Sequence, residues 1–346
     1  MKKEHKEFKN LIGGIAKIFT VLVAAILVVF IGIMVYVANP EILAFKSSEK
    51  YYGPKDVEAE IAAGFLPQNV KYGYELLTNT PKYLGPQVKD PGKRVAGNNL
   101  ACVSCHLDAG NRLGGASWAG VVERFPTFRP REDVIGSIED RINGCFERSM
   151  NGRRLDEDTR EMKAMVAYML WLSEDMTEEQ RKEYRGFPNL DIPEVAVDLE
   201  IGKRVYQKEC AVCHQDDGQG QRKLDFSEGY VNPPLWGPDS YNHGAGMHRV
   251  ITSAAFIKSN MPSGIATSTE PVLTDEEAFH VAGYINSFDR PKKSNTEADF
   301  PNRKLKPVST PYGPWEDDFP AEQHKYGPFL PIVEYYKKEH DLNKTQ

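Results

Sequence analysis

Two stretches of this chain, ACVSCHLDAG and ECAVCHQDDG, place Cys102, Cys105 and His106, and again Cys210, Cys213 and His214, in the same C-x-x-C-H order. That order is the attachment pattern of c-type haem: two thiols form thioethers to the vinyl groups of one macrocycle, and the adjoining imidazole reaches its iron. A lone C-x-x-C also admits a zinc half-site or a redox dithiol. A second full motif favours haem at both places. Two covalently held c-type haems, and hence two irons, are expected, attached through Cys102, Cys105, Cys210 and Cys213 and ligated by His106 and His214. Four of the five cysteines are then assigned, which leaves no pairs for a disulfide framework.

Each iron still needs a sixth ligand or an open position. In the second module FIKSNMPSG offers Met261 before a proline, and a thioether suits an electron-transfer haem. His243, Met247, His248 and Lys258 are its local competitors. The first module has no Met-Pro in the corresponding place. Cys145 stands there instead, alone in RINGCFERSMNGR. Thiolate is a strong anionic ligand that stabilises ferric iron, and nearby positive charge favours the thiolate. Arg141 and Arg148 flank Cys145, with Arg129 and Arg131 upstream. The competing view is an inert buried cysteine, with arginines such as Arg148, Arg153 and Arg154 on a solvated helix face beside Glu139, Asp140 and Glu147.

The elements around each motif repeat. DLEIGKRVYQKEC, with Ile201, Val205 and the Gly202/Tyr206 pair at helical spacing, leads into the second motif. LTDEEAFHVAGYINSF closes that module as a helix opened by Thr274, with Glu277 in the capping-box position and Phe279, Ala282 and Ile285 on one side. VKYGYELL and REMKAMVAYMLWLS frame the first motif likewise, the latter with Met162, Met165, Val166 and Met169 on one face. Helix, haem motif, loops and closing helix resemble the small all-α cytochrome c fold, twice over.

At the N-terminus, Lys2, Lys3, Lys6 and Lys9 precede the uncharged IFTVLVAAILVVFIGIMVYVA. That is long enough to span a bilayer core, and the positive-inside rule keeps the lysines cytoplasmic. A secretory signal cleaved after Ala38 is the competing reading. Both export the bulk of the chain to the periplasm, the first leaving it anchored in the inner membrane. With 43 basic against 49 acidic residues and no basic block, nucleic acid is not an expected partner. Beyond about residue 291 the chain is proline-rich, and its interleaved Tyr312, Trp315, Phe319, Tyr326 and Phe329 favour an irregular strap over a disordered tail.

RINGCFERSMNGR, the preceding FPTFRPRED, CVSCHL, KSNMP and QHKYGP together resemble the dihaem thiosulfate dehydrogenases, which form tetrathionate, over about residues 70 to 335. The resemblance implies that Cys145 ligates the first haem and takes part in sulfur chemistry. By their offsets from that cysteine, Arg131, Arg141 and Ser149 fall on the family's anion-holding arginines and pocket serine. It further implies histidine with methionine or lysine at the second haem, here Met261 or Lys258. The expected activity is reversible oxidation of two thiosulfates to tetrathionate, with electrons passed to an external cytochrome c or other redox carrier. A membrane-anchored dihaem carrier without its own substrate is the alternative. The expected organisation is a basic cytoplasmic segment 1–10, a transmembrane anchor 11–38, a linker 39–70, a first cytochrome c domain 71–175, a linker 176–199, a second domain 200–291 and the strap 292–346.

Overall fold

The computed structural model describes residues 2–38 and 53–344, and the chain divides into two units between Tyr52 and Gly53. The first unit contains helix α1 (Lys2–Ala38), in which Ile12–Val35 is long and apolar enough to cross a membrane. Its apolar side chains are exposed on every side, as a helix surrounded by lipid requires. Residues 39–52 of the expected linker lie outside the described residues.

The second unit begins with α2 (Val57–Ala63), capped by Asp56, whose Val57 already enters a core. Then follow α3 (Gln68–Thr78), α4 (Thr80–Leu84), a hairpin of β1 (Thr127–Arg129) and β2 (Val134–Gly136), α5 (Ile138–Arg148) and α6 (Arg160–Leu172). Helix α3 crosses α6 closely enough that a Cβ on Gly73 would lie 2.0 Å from the Ala164 carbonyl oxygen. Only glycine permits that approach. Met162, Met165 and Met169 of α6 are buried with Leu76, Leu77 and Phe146. The polar stretch after α6 carries a short helix, α7 (Glu178–Glu183), opened by a Thr177/Gln180 capping box.

A second module repeats the plan with α8 (Leu199–Val205), a π-helical turn, α9 (Ala211–His214), the short hairpin of β3 (Gln221–Arg222) and β4 (Tyr230–Asn232), α10 (Val250–Asn260) and α11 (Asp275–Ser287). Thr274 and Glu277 form the capping box that opens α11. Here Gly202 of α8 is the crossing point: its Cβ would lie 2.2 Å from the His280 carbonyl oxygen of α11.

Buried asparagines join the modules. Asn98 Nδ2 donates to the carbonyls of Ser149 (2.9 Å) and Ser240 (3.1 Å). Asn242 Nδ2 donates to the Glu147 carbonyl (2.9 Å) and to Asn151 Oδ1 (3.1 Å). Both side chains are essentially inaccessible, so each satisfied pair fixes one module against the other. The chain after residue 291 lies over the second core, which takes in Val308, Phe329, Ile332 and Tyr336. It is irregular until α12 (Ala321–Tyr326) and α13 (Leu330–His340), where Pro331 occupies the first turn. Trp315 stacks on the His324 ring at 4.4 Å, and His324 in turn meets Asp317 at 2.8 Å.

Candidate functional site

Helix α5 carries the centre of the site. A Ser137/Asp140 capping box starts it, and Ile138, Ile142 and Phe146 face the first core. The adjoining stripe, at intervals of four, is Arg141, Cys145 and Ser149. Residues so spaced are neighbours on a helix surface. Arg141 Nη1 donates to Cys145 Sγ at 3.0 Å. Gly144 leaves room for more charge: a Cβ there would lie 2.4 Å from Arg148 Nη2 and 3.1 Å from Arg129 Nη2.

Cys102, Cys105, His106, Cys145 and Ser149 line one cavity with Trp118. An adjoining cavity of about 370 Å³ shares His106 and Cys145 and adds Arg124, Arg141 and Arg185. His106 Nδ1 donates to the Ala116 carbonyl at 2.7 Å. A carbonyl can only accept, so Nε2 keeps the lone pair a metal would take. Burial pushes the Cys145 thiol up, but Arg141 and the His106 imidazole outweigh it and hold the thiol at about 6. Burial, with the Cys145 charge adding to it, pushes Cys102 and Cys105 up to about 12, against a Thr80 hydrogen bond at Cys102.

The arginines expected on a solvated face divide. Arg154 does pair on the surface with Asp140 (2.6 Å) and Glu157 (3.1 Å), and exposed Arg153 caps the Gly92 and Arg94 carbonyls. Arg148 does not: it is buried and shares Glu132 with Arg129, at 3.3 and 2.9 Å. Arg131, in the β1–β2 turn, commits Nη1 to Asp299 Oδ2 (2.8 Å), Tyr312 Oη (2.9 Å) and the Gly244 carbonyl (3.0 Å), while Phe300 covers the guanidinium. The strap therefore holds an arginine of the first module. Asp299 had no part in the sequence reading, and Tyr312 entered it only as one of the aromatic residues of the strap. Arg129 and Arg148 were read there as charges around one cysteine, and their burial beside Glu132 is what the structure adds.

In the second module His214 Nδ1 donates to the Pro233 carbonyl at 2.8 Å, repeating the arrangement at His106. Cys210 is partly buried and Cys213 exposed. Met261 ends α10 and packs against the second core. Lys258, one turn earlier, is held by Asp275 of α11 at 2.5 Å. Among the competitors, His243 Nδ1 accepts from the Lys293 backbone N–H and His248 Nδ1 donates to the His243 carbonyl, each at 2.9 Å. Among the described residues no three His, Cys, Asp or Glu side chains converge as a bare-ion site would need. Paired thiols beside an imidazole with one free nitrogen, lining a cavity, do fit covalent haem.

The family model described as the SoxA/TsdA cytochrome c domain matches residues 93–177, and the cytochrome c model matches residues 199–289. Two such domains carry two covalently bound c-type haems, each with its iron. The chain is similar to a thiosulfate dehydrogenase of Stutzerimonas stutzeri, at 39% identity over 246 residues covering 71% of this chain and 75% of that one. It is 40% identical to a thiosulfate dehydrogenase of Allochromatium vinosum over 232 residues, 66% of this chain and 80% of the other. Among solved structures, the as-isolated thiosulfate dehydrogenase TsdBA of Marichromatium purpuratum aligns with a TM-score of 0.61 and 33% identity, covering 73% of this chain and 52% of that chain. The present chain thus spans about half the length of that structural relative.

Proposed function

The chain belongs to the thiosulfate dehydrogenases, and from that membership we propose that it joins two thiosulfates into tetrathionate at Cys145 and sends two electrons to an external cytochrome c or other redox carrier. The observation that carries this reading is the sulfur of Cys145 with Arg141 Nη1 at 3.0 Å and the His106 imidazole beside it. Cys102, Cys105, His106 and Cys145 would hold the first haem, with Arg124 and Arg185 beside its cavity. Cys210, Cys213, His214 and Met261 would hold the second, with Lys258 the alternative to Met261. When bound, each haem supplies a one-electron acceptor.

The protein's own groups do the rest. Two dianions repel each other, so positioned guanidinium groups lower the cost of bringing them together. Arg141 and Arg131 hold the sulfonate ends, and Ser149 donates a hydrogen bond. The Cys145 sulfur forms an S–S bond with the outer sulfur of the first thiosulfate, with loss of two electrons. The outer sulfur of the second thiosulfate then attacks that same atom, tetrathionate leaves, and the Cys145 thiolate is restored, following the logic of thiol–disulfide exchange. In reverse, the thiolate attacks tetrathionate. Helix α1 tethers the protein to the inner membrane with this site in the periplasm.

The test is a spectrophotometric assay in both directions on the haem-loaded protein, beside Cys145→Gly. The variant should keep both haems attached and lose turnover. Retained turnover removes the thiol from the chemistry.

A further inference from the structure

Two cations in the larger of the Cys145 cavities are unanswered. Arg124 and Arg185 line it beside Arg141, and among the described residues neither side chain has an ion pair or a hydrogen bond. Arg141 is engaged by the Cys145 sulfur at 3.0 Å. Glu123, next to Arg124 in the chain, is taken by Arg181 of α7 at 3.5 Å and by the Ser173 hydroxyl at 3.3 Å. Arg124 is half-buried and Arg185 is exposed.

The backbone fixes both positions. The carbonyl of Gly186, directly after Arg185, accepts the Ala116 N–H at 3.0 Å, and the Ala116 carbonyl is the one that receives His106 Nδ1. The Arg181–Glu123 pair ties α7 to the turn Val122–Arg124. The start of the linker between the modules is thereby fastened to the loop around the iron-binding histidine.

The two cavities place the groups in an order. Cys102 and Cys105 line only the smaller, Arg124 and Arg185 only the larger, and His106 and Cys145 line both. In haem c the thioether carbons and the two propionate carboxylates leave opposite halves of the ring, with the iron and its axial ligands between them. A ring bonded to Cys102 and Cys105 and ligated by His106 therefore has its carboxylates on the arginine side. Carboxylates withdrawn from water need charged donors, and a guanidinium meets one with paired hydrogen bonds. Burial and the facing Arg185 and Arg141 pull the Arg124 guanidinium below its ordinary value, against Glu123. An anion between the arginines would relieve that repulsion.

We propose that Arg124 and Arg185 hold the propionates of the first haem, one guanidinium for each carboxylate. Arg185 belongs to the linker, so the haem and the linker between the modules secure each other. The two cations also offset carboxylate charge that would otherwise favour ferric iron, which eases reduction of the first haem. The inference rests on haem attachment at Cys102, Cys105 and His106, and not on the oxidation of thiosulfate.

The experiment compares haem-loaded full-length wild type with Arg124→Gln, Arg185→Gln and the two lysine variants. The readouts are potentiometric titration of the first haem and the resonance Raman band of propionate bending, which reports hydrogen bonding to the carboxylate. In each glutamine variant the band should shift, and the ferrous-to-ferric ratio at a fixed potential should fall about threefold to tenfold. That is a lowering of about 30–60 mV, at about 59 mV per tenfold for one electron. Lysine keeps the charge without the paired donors, so the lysine variants should recover the potential and keep a shifted band. Arg154→Gln, which removes a surface charge, should change neither readout. An unshifted band in both glutamine variants overturns the proposal. So does a raised KM for thiosulfate with band and potential unchanged, which would put the substrate's oxyanion there instead. Should a glutamine variant fail to load haem, the lysine variant at that position decides, since an unshifted band there refutes the contact. None of these readouts needs turnover, so the expected shifts in a protein that never oxidises thiosulfate would support this inference while refuting the functional reading.

Discussion

Replacing Arg141 by glutamine removes the group in contact with the Cys145 sulfur, and the cost can be bounded. The contact is a 3.0 Å charge-assisted hydrogen bond, of a kind worth about 1.5–3 kcal/mol. On the proposed function Arg141 also meets incoming dianions, where a unit charge pair at ~4 Å and an effective dielectric of ~20 is worth ~4 kcal/mol. Arg131 and Arg148 remain in the variant, so only part of that second quantity is lost. A total of ~3–4 kcal/mol corresponds to a fall of about 10²- to 10³-fold in kcat/KM. The assay is thiosulfate-dependent reduction of a spectrophotometric electron acceptor, with haem content measured on the same samples. Arg154→Gln is the control, because Arg154 pairs with Asp140 and Glu157 on the surface; it should change kcat/KM by no more than about twofold. Wild-type kcat/KM in fully loaded Arg141→Gln would refute the reasoning. So would an equal loss in Arg154→Gln, which would mean that overall charge, not position, matters.

Asp299 lies below the ordinary carboxylate range: burial pushes it up, but Arg131, Tyr312 and Lys293 outweigh that. A depressed folded value means its stabilisation is complete above about pH 4 and is lost as pH falls through the folded value. Asp299→Asn should therefore lower Tm at pH 7 and converge with wild type in a thermal scan at strongly acid pH. Asn242→Ala strands the Glu147 carbonyl, Asn151 Oδ1 and the Gly244 N–H, at a cost of about 2–3 kcal/mol, seen as a Tm drop of about 4–10 °C. Gly202→Ala forces a Cβ to 2.2 Å from the His280 carbonyl; calorimetry should show a loss of about 1–3 kcal/mol, with the visible spectrum of the second haem perturbed first. Deleting residues 1–38 should move the protein from the membrane to the soluble fraction, with kcat/KM within about twofold of the full chain.

What was legible in the sequence was local. The two C-x-x-C-H motifs and the Thr274/Glu277 cap depend on neighbours within a turn or two, where spacing determines contact, whereas the anion-holding roles of Arg141 and Ser149 came only through the family resemblance. Arg131 shows where that reading stops. Its partners Asp299 and Tyr312 are 168 and 181 residues away, and no periodicity connects them. The same holds for the contact between the modules, which rests on Asn98 and Asn242, asparagines that read as ordinary loop residues. Arg148 was ambiguous because an arginine near acidic neighbours reads as solvated until burial is known. Helix α13 escaped notice because Pro331, in its first turn, reads as a breaker.

The clamp of Asp299 and Tyr312 on Arg131 bears on the order in which the molecule can mature. Both residues follow the two haem-attachment motifs in the chain, so an emerging polypeptide exposes every thiol needed for cofactor loading before it possesses the groups that orient Arg131. A product truncated before residue 299 would still carry both attachment motifs, but it would lack the Asp299 and Tyr312 contacts to Arg131 and the Val308, Phe329, Ile332 and Tyr336 part of the second core. Colour alone would then be a misleading measure of finished enzyme.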